Sequence, residues 1–128
     1  MAKILVIDDE ENILQLLRDI LSKKGHCVCT ATSGEEGIAV AEQELPDLIL
    51  LDVSMPGMDG EVTRRRLLDN TKTKHIRSVF LTSIVTQEEE CMLQGLSEKN
   101  PYISKFSNTF SILKKIESLL ETKEKNKI

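Results

Sequence analysis

The chain has 128 residues and a formal net charge of −4, with 40% hydrophobic and 30% charged residues. Its length and composition are typical of one globular domain with a core of its own. The acidic balance argues against direct nucleic-acid binding, and no apolar run is long enough to span a membrane.

The cysteines bear on the cellular compartment. Three are present, an odd number without metal-ligand spacing, which fits free thiols in a reducing interior. Because the apolar run near the N-terminus is too short for the hydrophobic region of a signal peptide, we expect a cytoplasmic protein. Cys27 and Cys29 lie two apart on a predicted strand, where we expect both to be small core residues.

Apolar runs and helical spacings alternate along the chain and predict five strand–helix units. Strands are expected at 3–8, 27–32, 47–53, 78–83 and 102–105. Helices are expected around 13–21, 33–45, 60–70, 87–96 and 112–120. Residues 122–128 are mostly charged, so we expect a domain over 1–121 followed by a frayed tail or linker stump.

Capping residues support several of these helix ends. Gly25 is expected to end the first helix, and Pro46 to follow the end of the second. Ser33 with Glu36 three residues later predicts a capping box at the start of the second helix.

This alternation predicts an α/β fold, a doubly wound five-stranded parallel sheet in the flavodoxin-like order 2-1-3-4-5 with helices on both faces. Ligands of such sheets bind beyond the carboxyl ends of strands 1 and 3. Asp8 and Asp9 end the first strand and Asp52 ends the third, with Glu10 close by. The topology therefore predicts a site where carboxylates converge.

So many like charges are costly unless a cation offsets them. Carboxylates suit Mg²⁺ and repel a bare phosphate, so a nucleotide or flavin phosphate site is disfavoured. Thr82 and Lys105 end the fourth and fifth strands and add a hydroxyl and an ammonium. Formation of an aspartyl phosphate requires a carboxylate nucleophile such as Asp52, a metal ion, and a hydroxyl or cationic group that binds the phosphoryl oxygens.

Each of these residues also has a purely structural interpretation. Residues 8–10 could cap the first helix and favour its dipole, as Asp59 is expected to cap the third. Lys105 taken alone is more often a surface lysine, and Thr82 an ordinary strand threonine. The combination of acidic and basic groups at four strand ends favours the site.

The chain resembles the receiver domain of bacterial two-component response regulators, the chemotaxis-regulator-like family, over essentially its full length. The matching stretches are 4–10, 48–60, 80–83 and 102–105. The resemblance implies that Asp52 is the phosphoacceptor and a Mg²⁺ ligand. It also implies that Asp9 binds the ion directly, Asp8 through a water, and Ser54 through its backbone carbonyl.

The resemblance further implies a switch and its partners. Thr82 and Tyr102 would form the coupled switch pair, and Lys105 would neutralise charge. The phosphodonor would be a sensor histidine kinase or a histidine phosphotransfer protein. The downstream target, not identified by the sequence, would bind the face formed by the fourth helix, fifth strand and fifth helix; homodimerisation is left open.

One departure from the family pattern concerns the residue after Lys105. The family places a proline there behind a cis bond, whereas this chain has Phe106. Since a cis bond before a non-proline residue costs about 2.5–4 kcal/mol, we predict a trans Lys105–Phe106 bond.

Three functions are compatible with these residues. The leading one is a signalling domain that catalyses its own aspartyl phosphorylation and dephosphorylation at Asp52. The second is a receiver-like docking module that no longer uses phosphorylation. The altered region 95–106 slightly favours it, since residues 96–101 replace the small, glycine-containing stretch usual in the family and Phe106 replaces the proline. The third is an aspartyl phosphohydrolase. Ser54 disfavours it, because enzymes of the haloacid dehalogenase type carry a second aspartate at that position, two residues after the nucleophile.

Overall fold

Five strands and four helices lie in the described part of the chain, which comprises residues 2–53, 55, 57–82, 102–105 and 108–125 of this computed structural model. The strands are β1 (Lys3–Ile7), β2 (Cys27–Ala31), β3 (Leu48–Asp52), β4 (Arg77–Thr82) and β5 (Tyr102–Ser104). The helices are α1 (Glu11–Lys23), α2 (Gly34–Glu44), α3 (Gly60–Asp69) and α4 (Thr109–Lys125). The helix predicted at 87–96 and the Lys105–Phe106 bond lie outside the described residues, and α4 is the last of the five predicted helices.

All five strands pair in parallel in the order β2-β1-β3-β4-β5, as the sequence predicts. Ile7 lies opposite Leu51 across β1 and β3, so the residues after these two strands emerge side by side. The order changes direction between β1 and β3, and this is the edge at which doubly wound sheets bind ligands.

The central strands of the sheet are buried on both faces, and their successive residues point to opposite sides. Leu48 and Leu50 pack toward α1 and α4, whereas Ile49 and Leu51 pack toward α2 and α3. Every residue of β3 is buried. Since burying one such side chain contributes about 1.5–3 kcal/mol, these two layers fix β3 and its terminal aspartate firmly.

The predicted helix caps are present, one of them in altered form. Gly25 has φ +85°, and the amides of Gly25 and His26 bond back to the carbonyls of Ser22 and Leu21, which is a Schellman ending for α1. Ser33 caps α2 by accepting from the amide of Glu36 at 3.2 Å.

The second half of the predicted capping box is replaced by another contact. The carboxylate of Glu36 accepts from the hydroxyl of Thr32 at 3.1 Å. The start of α2 is thus held by two neighbouring hydroxyl residues rather than by a reciprocal bond.

Two expectations about the chain differ from the structure. Cys27 is exposed and Cys29 only half-buried, because β2 is an edge strand that has a neighbour on one side alone, so the prediction of two core thiols is wrong for Cys27. Helix α4 continues to Lys125, so residues 122–125 are helical where the sequence predicts a frayed tail. The domain boundary at 121 stays a prediction. None of the helices in the described ranges has the length and apolarity that crossing a bilayer requires.

Candidate functional site

Asp8 lies directly beyond the last residue of β1 and is completely buried. Its amide donates to the carbonyl of Ala31 at 3.0 Å, which extends the ladder with β2 by one residue. Its Oδ1 accepts from the amide of Glu10 at 2.9 Å. With its backbone and Oδ1 held in this way, the carboxylate presents Oδ2 to the ammonium of Lys105, 2.9 Å away.

Asp52 is the last residue of β3 and lies opposite Leu81 of β4. It is 4% exposed. The amide of Val53 donates to the carbonyl of Leu81 at 3.1 Å, and the amide of Gly60 donates to the carbonyl of Val53 at 2.9 Å. These bonds fold the chain back over the end of β3 and fix the backbone on which the Asp52 carboxylate stands.

Lys105 directly follows β5, and its ammonium lies beside three carboxylates at the carboxyl edge of the sheet. Its amide donates to the carbonyl of Thr82 at 2.8 Å. The Nζ atom lies 2.9 Å from Oδ2 of Asp8 and 3.2 Å from Oδ1 of Asp52. It also lies 3.0 Å from Oε1 of Glu10. With its side chain only 6% exposed, Lys105 is not the surface lysine that the structural interpretation allowed.

Four acids of the described residues form a compact cluster, each offering an oxygen within 4.8 Å of the others: Asp8, Asp9, Glu10 and Asp52. With all four ionised and Lys105 protonated, the cluster carries a net charge of −3. Carboxylate oxygens at one solvent-reachable edge are the ligands that Mg²⁺ takes in proteins. The donor set therefore fits a hard divalent cation, while Ser54, whose carbonyl the resemblance adds, lies outside the described residues.

Burial and neighbouring charge perturb the ionisation of this cluster. Burial, followed by the charge of Asp8, raises the pKa of Asp52 to about 7, against a lowering by Lys105. Burial acts to lower the pKa of Lys105, but its bonds to Asp8 and Glu10 and the charges of Asp8 and Asp52 hold it above its usual range. Without a divalent cation, Asp52 is therefore partly protonated near neutral pH.

We expect Asp52→Asn to make the metal-free protein more stable at pH 8 and to leave it nearly unchanged at pH 4. The folded-state pKa of Asp52 lies above its ordinary value of 3.8, so ionisation opposes folding and stability falls as pH rises toward 7. Since solvent reaches this edge, the gain at pH 8 should be about 1–2 kcal/mol, which urea unfolding at both pH values measures. An equal gain at pH 4 would contradict this account.

The two residues of the implied switch lie on neighbouring strands. Thr82 is the buried last residue of β4 and lies opposite Ser104, whereas Tyr102 lies two pairs further back, opposite Phe80. Because side chains alternate along a strand, Thr82 and Tyr102 face the same side of the sheet. Lys115 of α4 lies over the Tyr102 ring, with Nζ 5.0 Å from its centroid.

The alternative in which residues 8–10 merely cap α1 is not supported. Glu10 occupies the cap position but makes no side-chain capping bond. Asp59, in contrast, does cap α3, accepting from the amide of Val62 at 2.9 Å as the sequence predicts. The contact of Glu10 with Lys105 is not foreseen from the sequence, because 95 residues separate the two and nothing local relates them.

Comparison with known proteins agrees with this fold. The family model described as the response regulator receiver domain matches residues 4–117, which is most of the chain. The chain belongs to this family. It is a receiver domain of two-component response regulators, and its five-stranded parallel fold is the one found in the family's chemotaxis-regulator-like structures.

Individual relatives place the receiver domain within the family. Protein PilH of Pseudomonas aeruginosa is 33% identical over 94% of this chain and 98% of its own length. Response regulator PleD of Caulobacter vibrioides is 37% identical over 95% of this chain but only 27% of its own length, so the receiver domain spans about a quarter of that relative. A crystal structure of chemotaxis protein CheY4 of Vibrio cholerae superimposes with a TM-score of 0.79 at 28% identity, covering 92% of this chain and 98% of that one.

Proposed function

We propose that this receiver domain transfers a phosphoryl group to Asp52 in a Mg²⁺-dependent reaction that it catalyses itself, and later releases it by hydrolysis. The observation that carries the proposal is the placement of Asp52. Its carboxylate lies buried at the end of a central strand, with the ammonium of Lys105 3.2 Å away and acids suited to a dication beside it.

The chemistry follows from these positions. An Asp52 oxygen forms the new bond to phosphorus, while the bond from phosphorus to the donor's leaving group breaks and that group keeps the electron pair. Mg²⁺ would be held by Asp8, Asp9, Asp52 and the Ser54 carbonyl. When bound, it would neutralise the negative charge on the transferred phosphoryl oxygens. Protein atoms thus need only position charge, because phosphoryl transfer requires little else.

Lys105 and Thr82 have supporting roles in the proposal. The Lys105 ammonium is already beside Asp52 and would pair with a phosphoryl oxygen. The Thr82 hydroxyl would donate to another, and its movement would let the ring of Tyr102 turn inward. In this way the phosphoryl group would favour one of two conformations of the domain.

The partners of the proposed reaction follow from family membership. Receiver domains interact with histidine kinases or phosphotransfer proteins, and we propose that a phosphohistidine of one of these is the donor here. The output would be a target bound at the face formed by the predicted helix 87–96, β5 and α4. We propose a cytoplasmic location, a domain ending near residue 121, and no direct contact with nucleic acid; homodimerisation is left open.

The docking module remains the second candidate, carried only by the altered sequence between residues 95 and 106, most of which lies outside the described residues. The comparisons add nothing in its favour. Membership of the receiver family argues against an aspartyl phosphohydrolase.

Intact mass after incubation with acetyl phosphate tests the proposal. We expect one phosphoryl addition that requires Mg²⁺ and that hydroxylamine removes, as it does from acyl phosphates. Asp52→Asn should abolish the addition, whereas Asp69→Asn, the same change at an exposed site on α3, should not. A folded protein that accepts no phosphoryl group from acetyl phosphate or any histidine kinase would instead favour the docking module.

A further inference from the structure

Glu10 is the acid of the described cluster for which the proposed reaction has no assigned role. We propose that Glu10 is a positioning residue, which holds the ammonium of Lys105 beside Asp52 and keeps that hold when a divalent cation binds Asp8 and Asp52. The expected effect on phosphorylation rests on the proposed function, whereas the contact between Glu10 and Lys105 is observed in the structure.

The backbone of Glu10 is fixed on both sides. Its amide donates to Oδ1 of Asp8 at 2.9 Å, and its carbonyl accepts from the amides of Ile13 and Leu14 at 3.1 and 3.2 Å. Although Glu10 is the N-terminal cap residue of α1, its side chain makes no capping bond. The side chain therefore starts from a rigid point and extends toward Lys105 instead.

The ammonium of Lys105 has three protons and three carboxylate neighbours. Two of these neighbours, Asp8 and Asp52, are also proposed ligands of the dication, and their side chains are almost fully buried. The third, Glu10, has a side chain that is 56% exposed. Since Mg²⁺ keeps several waters and takes few carboxylates, it does not need Glu10 as a ligand.

A dication held by Asp8 and Asp52 therefore weakens two of the three attractions on Lys105 and leaves the third. The stem of Lys105 is buried and its backbone is fixed by the bond to Thr82, so only the position of the ammonium is at stake. With Glu10 in place, the ammonium stays at the mouth of the site, where an incoming phosphoryl oxygen meets it. Without Glu10, it turns away from the dication.

The test is a double-mutant cycle of Glu10→Gln and Lys105→Met, with Glu11→Gln as the matched control. Glu11 is the next residue, also exposed and in the first turn of α1, so the control removes the same charge from the same helix end. The first measurement is the rate of phosphorylation by acetyl phosphate at saturating Mg²⁺. The second is the ¹⁵N NMR signal of the Lys105 ammonium, recorded with and without Mg²⁺.

Because an ion pair with a half-exposed partner is weak, we expect Glu10→Gln to slow phosphorylation about two- to fivefold in the presence of Lys105. We expect no further slowing by Glu10→Gln once Lys105 is methionine. The ammonium signal should stay sharp in the wild type with Mg²⁺ and broaden by proton exchange in Glu10→Gln. Glu11→Gln should change neither measurement.

Three results would overturn the proposal. If Glu10→Gln slowed phosphorylation equally with lysine and with methionine at position 105, Glu10 would act through its charge and not through Lys105. An equal slowing by Glu11→Gln would mean a general effect at the end of α1. An ammonium signal that does not respond to Glu10→Gln would remove the positioning role. If the wild type accepts no phosphoryl group, the proposed function fails, and the NMR signal alone still decides whether Glu10 holds Lys105.

Discussion

Lys105→Met is expected to lower both the stability of the metal-free protein and the rate of phosphorylation. Removing the ammonium leaves the buried carboxylates of Asp8 and Asp52 facing each other. Since breaking a buried ion pair from one side is strongly destabilising, we expect a loss of about 2–4 kcal/mol in the free energy of unfolding at pH 8. The rate of phosphorylation should fall about 100-fold, as for the loss of one preorganised charge at a reacting group.

The loss of stability should depend on pH and on Mg²⁺. Lys105 lowers the pKa of Asp52, so in the variant that pKa lies higher still and protonation relieves the repulsion as pH falls. The destabilisation should therefore be smaller at pH 5 than at pH 8. A dication that binds the folded state should also restore part of it by mass action.

Urea unfolding at both pH values, with and without Mg²⁺, measures these effects. Lys74→Met, which removes an exposed lysine before β4, is the control and should change stability little. A Lys105→Met protein as stable as that control at pH 8 would show that the three ion pairs contribute nothing to the fold.

Gly60→Ala is expected to destabilise the domain and to disturb the phosphoacceptor itself. A Cβ on Gly60 would overlap the backbone carbonyl oxygen of Asp52 and lie 2.8 Å from the Cα of Val53. Backbone atoms cannot move aside as a flexible side chain can, so the end of β3 or the start of α3 must shift. We expect a loss of about 2–4 kcal/mol and a slower phosphorylation, because a small displacement of a nucleophile is costly.

Gly25→Ala supplies the matched comparison. Gly25 has φ +85° and open space where a Cβ would lie, so an alanine there meets only the strain of the left-handed conformation. We expect about 1 kcal/mol of destabilisation at Gly25 with an unchanged phosphorylation rate. Equal phosphorylation rates in Gly60→Ala and Gly25→Ala would contradict the idea that Gly60 fixes the position of Asp52.

The arrangement of the sheet could be predicted from the sequence, because apolar runs, helix caps and topology rules each act locally or by a general constraint. The run of β3 is apolar at every position before Asp52, which is what a central parallel strand requires. Once β1 and β3 are neighbours, Asp8 and Asp52 must lie at the same edge. Their proximity therefore follows without any knowledge of side-chain packing.

Side-chain partners within the site were harder to predict. The sequence predicts the Lys105 ammonium at the site without fixing its partners, and the structure places it nearest to a carboxylate oxygen of Asp8, next to Glu10 and then to Asp52. Those choices depend on how the backbone after β1 turns, which the bond from Glu10 to Asp8 decides. The exposure of Cys27 was missed for a similar reason, since an apolar run does not reveal that β2 lies at the edge of the sheet.

The central claim is that Asp52 is the residue that receives the phosphoryl group. Borohydride reduction after acetyl phosphate treatment, followed by peptide mass spectrometry, tests it most directly, because an aspartyl phosphate is reduced to homoserine at the modified position. We predict homoserine at position 52, formed only when both acetyl phosphate and Mg²⁺ were present. Homoserine at position 8 or 9, or at no position in a protein that has gained phosphoryl mass, would contradict the account.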